Sequence, residues 1–159
     1  MKISVACVGR LKEKYLTEAV REYTKRLTRY CRPEILETAD ERIPEKASDA
    51  EEAELRDREG QRLLKMIPEK AWVVTCEING SMPDSTGFAG MLQRWMTEGK
   101  SHIVFVIGGS TGLSEEVRRR SDFALSFSHM TFPHQLMRVI LLEQIYRAFR
   151  INAGEPYHK

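Results

Sequence analysis

Apolar residues fall along this chain in two alternating rhythms. Short, nearly continuous apolar runs occupy residues 2–8 (KISVACV), 71–78 (AWVVTCEI), 102–107 (HIVFVI) and 123–127 (FALSF). Their length and their β-branched and aromatic content predict strands. Between them, apolar residues recur three and four positions apart. Leu11, Tyr15, Leu16, Ala19, Val20, Tyr23, Leu27 and Tyr30 form one such stripe, with Lys14, Arg21, Lys25 and Arg29 on much of the opposite surface. That pattern predicts an amphipathic helix. Pro33 closes this unit, and residues 34–38 predict a short strand. Residues 39–54 are acidic, with a loop punctuated by Pro44 at their start. Ser48 followed by Glu51 spells a capping box, so a second helix runs from Asp49 toward Met66, with Gly60 weakening its centre. Residues 79–85 (NGSMPDS) predict a turn. Phe88, Met91, Leu92, Trp95 and Met96 mark a third helix closed by Gly99, and a short helix at 114–120 precedes the last strand.

Strands alternating with helices define an α/β protein with a mostly parallel sheet and helices on both faces. The flanking strands need one another, so residues 1–159 form a single domain. Such sheets bind ligands beyond the C-terminal ends of their strands. The loops to watch are therefore Gly9–Arg10, 77–82, 108–112 and 128–133. The last helix differs from the others. Leu136, Met137, Val139, Ile140, Leu141, Leu142, Ile145, Tyr146, Ala148 and Phe149 cover most of its circumference. One side should meet the sheet and another a second subunit, which predicts a homodimer. Glu143, Arg147 and Arg150 are the remaining polar strip. A structural Glu–Arg network and a rim with Arg147 held toward phosphate both fit it.

Composition narrows the picture only a little. Net charge is +2, but residues 1–36 hold nine basic and four acidic side chains, and residues 37–60 hold ten acidic and four basic. The basic segment suits steering toward phosphate, although a solvated helix face accounts for the same charges. Cys7, Cys31 and Cys76 lie in separate segments without metal-ligand spacing. Their odd number argues against a disulfide framework, and no metal is expected. No apolar run approaches the roughly 18 residues of a membrane span. Without a signal-like cleavage site at the start, the expectation is a cytoplasmic protein with no membrane partner.

Two loops carry candidate chemistry. Gly108, Gly109, Ser110, Thr111 and Gly112 follow an apolar strand, where small residues permit close backbone approach to a ligand. GGSTG is neither GxGxxG nor a Walker A motif, so neither nicotinamide nor ATP is indicated. In the second loop, Ser128 or Thr131 can cap the following helix and Pro133 suits its start. Met130 and Phe132 offer apolar contacts to an adenine or a methionine-like chain; capping and core packing explain the same residues without a ligand.

Taken together, VACVGRLKEKY, FVIGGSTGLS, ALSFSHMTFPHQLMRVILLEQIYRAF and the EPYHK ending closely resemble a small branch of the SPOUT superfamily. These are the large-subunit ribosomal RNA methyltransferases, and the resemblance spans essentially the whole chain. It implies a C-terminal trefoil knot, which ordinary topology rules disfavour, and a homodimer built around it. It also implies S-adenosyl-L-methionine as cofactor and N3 of pseudouridine 1915 in large-subunit (23S) rRNA, on the ribosome, as the methylated atom. Cofactor contacts carry over to Cys76, Gly108, Phe127, Ser128, His129, Met130, Thr131 and Phe132. For the reaction, His158 is a candidate for proton transfer, Tyr157 for orienting or stacking on the base, and Arg147 for positioning the substrate. Arg10, Lys12, Lys14 and Lys159 are candidates for contacting RNA. The competing readings are a non-catalytic ribosome- or RNA-binding protein and a methyltransferase acting on another RNA.

Overall fold

Five parallel strands form the centre of the molecule and helices cover both faces. The computed structural model describes residues 1–158. In chain order it contains β1 (Lys2–Val8), α1 (Lys14–Leu27), β2 (Arg32–Thr38), α2 (Asp49–Met66) and β3 (Trp72–Ser81). α3 (Ser85–Thr97), β4 (His102–Ile107), α4 (Glu115–Arg120), β5 (Phe123–Leu125) and α5 (His134–Asn152) follow. The strand order is β2-β1-β4-β3-β5, with every pairing parallel. Successive side chains on a strand point to opposite faces, and the two cores divide accordingly. Ile3, Val5, Cys7, Val74, Ile103 and Phe105 pack with residues of α1, α3 and α5. Ala6, Val8, Val73, Val104 and Val106 pack with Leu63 of α2 and Val117 of α4.

Several element boundaries differ from the sequence expectation, each for a local reason. Pro33 does not end the first unit; it lies within β2, opposite Ile3. β2 is an edge strand, where a residue without an N–H is tolerated. α1 starts at Lys14, so Leu11 packs on the core from the preceding loop. Tyr15 is 67% exposed and leaves the apolar stripe, which is Leu16, Val20 and Leu27. β3 runs on to Ser81, through residues expected to turn. Its last residues hug β5: Ser126 N–H donates to Ser81 O at 2.8 Å, and the pairing register shifts between Cys76 and Ser81. Gly80 permits this, because a Cβ there would lie 2.7 Å from the Ala124 backbone. β5 stops at Leu125 rather than Phe127. Ser126 Oγ, close to both Ile78 O (2.8 Å) and Ser128 O (3.2 Å), marks where the chain turns away. Neither Ser128 nor Thr131 caps α5. Ser128 Oγ instead accepts from Met130 N–H within its own loop, at 3.0 Å, and Pro133 stands at the helix start without a side-chain cap.

The capping box of α2 forms as expected. Ser48 Oγ accepts from Glu51 N–H at 3.2 Å, and the Glu51 carboxylate accepts from Ser48 N–H at 2.9 Å. Gly60 proves to be a packing residue. A Cβ there would lie 2.2 Å from Ser114 Oγ and 3.3 Å from Val117. Ser114 is itself the cap of α4, accepting from Val117 N–H. Gly60→Ala would therefore gain about 1 kcal/mol of helix propensity, yet it displaces a capping hydroxyl between two packed helices. The expected net result is a loss of about 1–2 kcal/mol, read as a lower midpoint in urea unfolding. A higher midpoint would show that the two helices separate at no cost.

Candidate active site

Three of the four strand-end loops converge on one cleft of about 880 Å³, within the roughly 300–1,000 Å³ typical of ligand sites. Its walls come from the end of β3 (Cys76–Asn79), the loop after β4 (Gly108–Leu113) and the loop between β5 and α5. Of the residues expected at a cofactor, Cys76, Gly108, Phe127, Ser128, Met130, Thr131 and Phe132 lie on the wall, and His129 does not. The Gly9–Arg10 loop is also absent from it. Gly9 sits at φ +81° beside Asp40, and its carbonyl accepts from the buried Arg138 at 2.7 Å.

The glycine loop owes its shape to close backbone approach. A Cβ on Gly108 would lie 2.7 Å from the backbone of Gly112, and Gly112 N–H donates to Gly109 O at 3.0 Å. Gly109 rests against Glu59 of α2, a buried carboxylate that accepts from Glu41 N–H at 3.0 Å. Burial, reinforced by Asp40 and Glu41, raises the Glu59 pKa. Burial also drives the Cys76 thiol pKa up, so this wall residue stays protonated and acts as an apolar surface.

Sequence reasoning missed the charged part of the wall. Glu77 accepts from Thr75 Oγ1 at 2.6 Å and pairs with Arg118 Nε at 3.1 Å, and both charged residues line the cleft. His134 opens α5 on the same wall. Its pKa is lowered, first by burial and then by Arg138. Glu77 fell inside a loop already marked as a strand end, which was the only available signal; Arg118 reaches the cleft only because α4 packs beside β3.

The C-terminal residues form a second cluster, on the side of α5. Glu143 Oε1 accepts from Arg147 Nε at 3.0 Å, from an Arg147 Nη at 2.6 Å and from Tyr157 OH at 3.2 Å. The Tyr157 ring stands edge-on to Tyr146, with centroids 5.1 Å apart, and the Arg147 guanidinium lies 4.7 Å from the Tyr157 centroid. His158 Nδ1 is 3.2 Å from the other Arg147 Nη. Burial, then the charge of Glu143, pushes the Tyr157 pKa up to about 12; at neutral pH it is a phenol that donates. Glu155 fastens the approach to this tail, pairing with Arg150 at 2.6 Å and Arg29 at 3.2 Å and accepting from Tyr30 OH at 2.8 Å. Thus Tyr157, His158 and Arg147 are brought together. Arg10, Lys12 and Lys14 are exposed around the loop after β1, and Lys159 lies outside the described residues. Glu143 is six residues beyond Met137, the last α5 residue on the cleft wall, or about 9 Å of helix rise, so the two clusters are separate within one chain.

Among the described residues no helix is long and apolar enough to cross a membrane. The family described as predicted SPOUT methyltransferase matches residues 1–158. The chain is 54% identical to the ribosomal RNA large subunit methyltransferase H of Clostridium novyi (strain NT), over 159 residues that cover both proteins completely. It has the same identity and coverage with the protein of that name from Bifidobacterium animalis subsp. lactis (strain AD011). SPOUT proteins carry this parallel α/β sheet with a knot. With a family match along its length and full-length relatives at this identity, the chain belongs to the SPOUT methyltransferases.

Proposed function

We propose that this methyltransferase uses S-adenosyl-L-methionine to methylate N3 of pseudouridine 1915 in large-subunit (23S) rRNA, on the assembled ribosome in the cytoplasm. The observation that carries the reading is the glycine-cradled cleft at the strand ends of a chain 54% identical, end to end, to large-subunit rRNA methyltransferases. The cleft suits a nucleoside with an apolar tail. Gly108 leaves the backbone open where a side chain could not fit, and Met130 and Phe132 supply exposed apolar surface. Thr111 Oγ1, on the same wall, is buried without a hydrogen-bond partner among the described residues. Such an orphan hydroxyl calls for a polar ligand group.

Bound in this cleft, the cofactor supplies an electrophilic methyl group for direct transfer, which requires in-line placement. The remaining work falls to the chain's own side chains. His158 is the proposed acceptor of the N3 proton. Arg147, oriented by Glu143, favours the anionic form of the base electrostatically. Tyr157, neutral and held by Glu143, orients the base. Arg10, Lys12, Lys14 and Lys159 contact RNA phosphates. Since about 9 Å of helix rise separates Glu143 from Met137, the last α5 residue on the cleft wall, a homodimer in which one subunit's tail faces its partner's cleft completes the site. Leu136, 38% exposed on α5, and the half-buried Val139 and Ile140 give that dimer an apolar surface.

The test incubates the protein and labelled S-adenosylmethionine with unmodified ribosomes and with isolated rRNA, then maps the methylated nucleotide. Label at N3 of the stated pseudouridine, mainly with ribosomes, is the expected result; label elsewhere overturns it. Gly108→Val places branched carbons against the Gly112 backbone and should weaken S-adenosylmethionine binding at least about tenfold, measured by calorimetric titration with circular dichroism confirming the fold. Unchanged affinity would remove the cofactor from this cleft.

A further inference from the structure

We infer that Glu77 recognises the ribose of the nucleoside cofactor by accepting hydrogen bonds from its 2′- and 3′-hydroxyls, an assignment that rests on the cofactor reading above. Glu77 is the one carboxylate among the described residues of the cleft wall, immediately after Cys76 and facing the same space as the Gly108 loop. Its side chain is 18% exposed and held in place, with Thr75 Oγ1 donating to one oxygen at 2.6 Å and the Arg118 guanidinium ion-paired with the other, Nε at 3.1 Å. An ionised carboxylate has about four acceptor sites and no donor. Two are engaged, so each oxygen retains one for an incoming hydroxyl. A cis-diol supplies two donors at the spacing of a carboxylate's two oxygens, which is why acidic side chains recur at ribose in nucleotide sites.

Donor count and charge decide against the other parts of such a ligand. A phosphate or the cofactor's own carboxylate has no donor to offer the Glu77 oxygens. The Arg118 guanidinium offsets most of the field that would attract an ammonium, but it leaves the lone pairs facing the cleft free to accept from neutral hydroxyls. Preorganisation by Thr75 and Arg118 also spares the carboxylate the ordering cost of binding.

The test measures binding of S-adenosylhomocysteine, its 2′-deoxy analogue and methylthioadenosine to the full chain by calorimetry. Hydrogen bonds to a charged acceptor set the scale, so the wild type should prefer the diol over the 2′-deoxy compound by about tenfold to a hundredfold. Glu77→Ala should lose that preference by weakening the ligands with an intact diol more than the 2′-deoxy compound, which has only the 3′-hydroxyl contact to lose, and methylthioadenosine as much as S-adenosylhomocysteine. Glu77→Asp keeps the charge, withdraws it by one methylene and should lose the preference too, which carries the test if the alanine variant unfolds. A variant that keeps the wild-type preference overturns the assignment. So does a loss for S-adenosylhomocysteine without one for methylthioadenosine, because the contact would then be to the amino-acid end. A wild type that binds none of these nucleosides removes the cofactor reading itself, an outcome distinct from either.

Discussion

Arg138→Met is expected to lower folding stability by about 3 kcal/mol, the lower end of the range for breaking a buried ion pair, and to shift the urea midpoint with little change in slope. Arg138 is fully buried in α5. One Nη pairs with Glu37 at 2.6 Å, and the other donates to Val8 O at 3.0 Å and Gly9 O at 2.7 Å. One guanidinium thus ties the end of β1, the edge strand β2 and the first turns of α5. Methionine fills a similar space and supplies no donor, stranding two carbonyls and a carboxylate. Glu37 is one-third exposed and can recruit water, which keeps the estimate low in the range. Arg138 Nε already lacks a partner among the described residues, so the native arrangement includes an unmet donor that methionine also removes. Arg138→Lys retains the charge without the planar fork and should fall between the two. A midpoint unchanged in both variants would mean that water replaces the guanidinium at no cost.

Arg138 also shows where sequence reading stops. The α/β class, the parallel sheet and the two-faced core were legible because strand alternation and helical stripes report burial directly. Ser48 and Glu51 announced the start of α2 for the same reason: a cap is a local interaction. Three of the four loops that the strand-end rule picked out likewise wall the cleft. What stayed hidden depends on non-local contacts. Gly60 reads as a helix weakness until Ser114 is brought against it. Pro33 reads as a stop until β2 is seen at the sheet edge. The pairing of Glu77 with Arg118 joins β3 to a helix some forty residues away, with no shared motif. Arg138 lies among the apolar residues of its helix with no sequence signal for its partners, and its burial is explained by Glu37 and the carbonyls of Val8 and Gly9.

Deleting residues 157–159 should reduce methyl transfer to ribosomes by about a hundredfold to ten-thousandfold, the range for losing a positioned acid–base group. Affinity for S-adenosylmethionine should stay within about twofold, as expected for sites more than 7–10 Å apart. The asymmetry follows from the two clusters. The cleft is walled by strand-end loops, none of which includes the tail. The tail instead places Tyr157 and His158 against Arg147, all referred to Glu143. Single variants separate the roles. Arg147→Met removes the cation and should slow turnover nearly as much as the deletion, with unchanged cofactor binding. Tyr157→Phe keeps the ring against Tyr146 and loses one hydrogen bond to Glu143; because the phenol is neutral, it should cost less than about tenfold. A tyrosine acting as the base would instead be indispensable, and its pKa of about 12 argues against that role. If the truncated protein turned over ribosomes at the wild-type rate, the tail cluster would be a structural brace for α1 and α5, and proton removal would have to be sought within the cleft, where His134 is the histidine on the described wall.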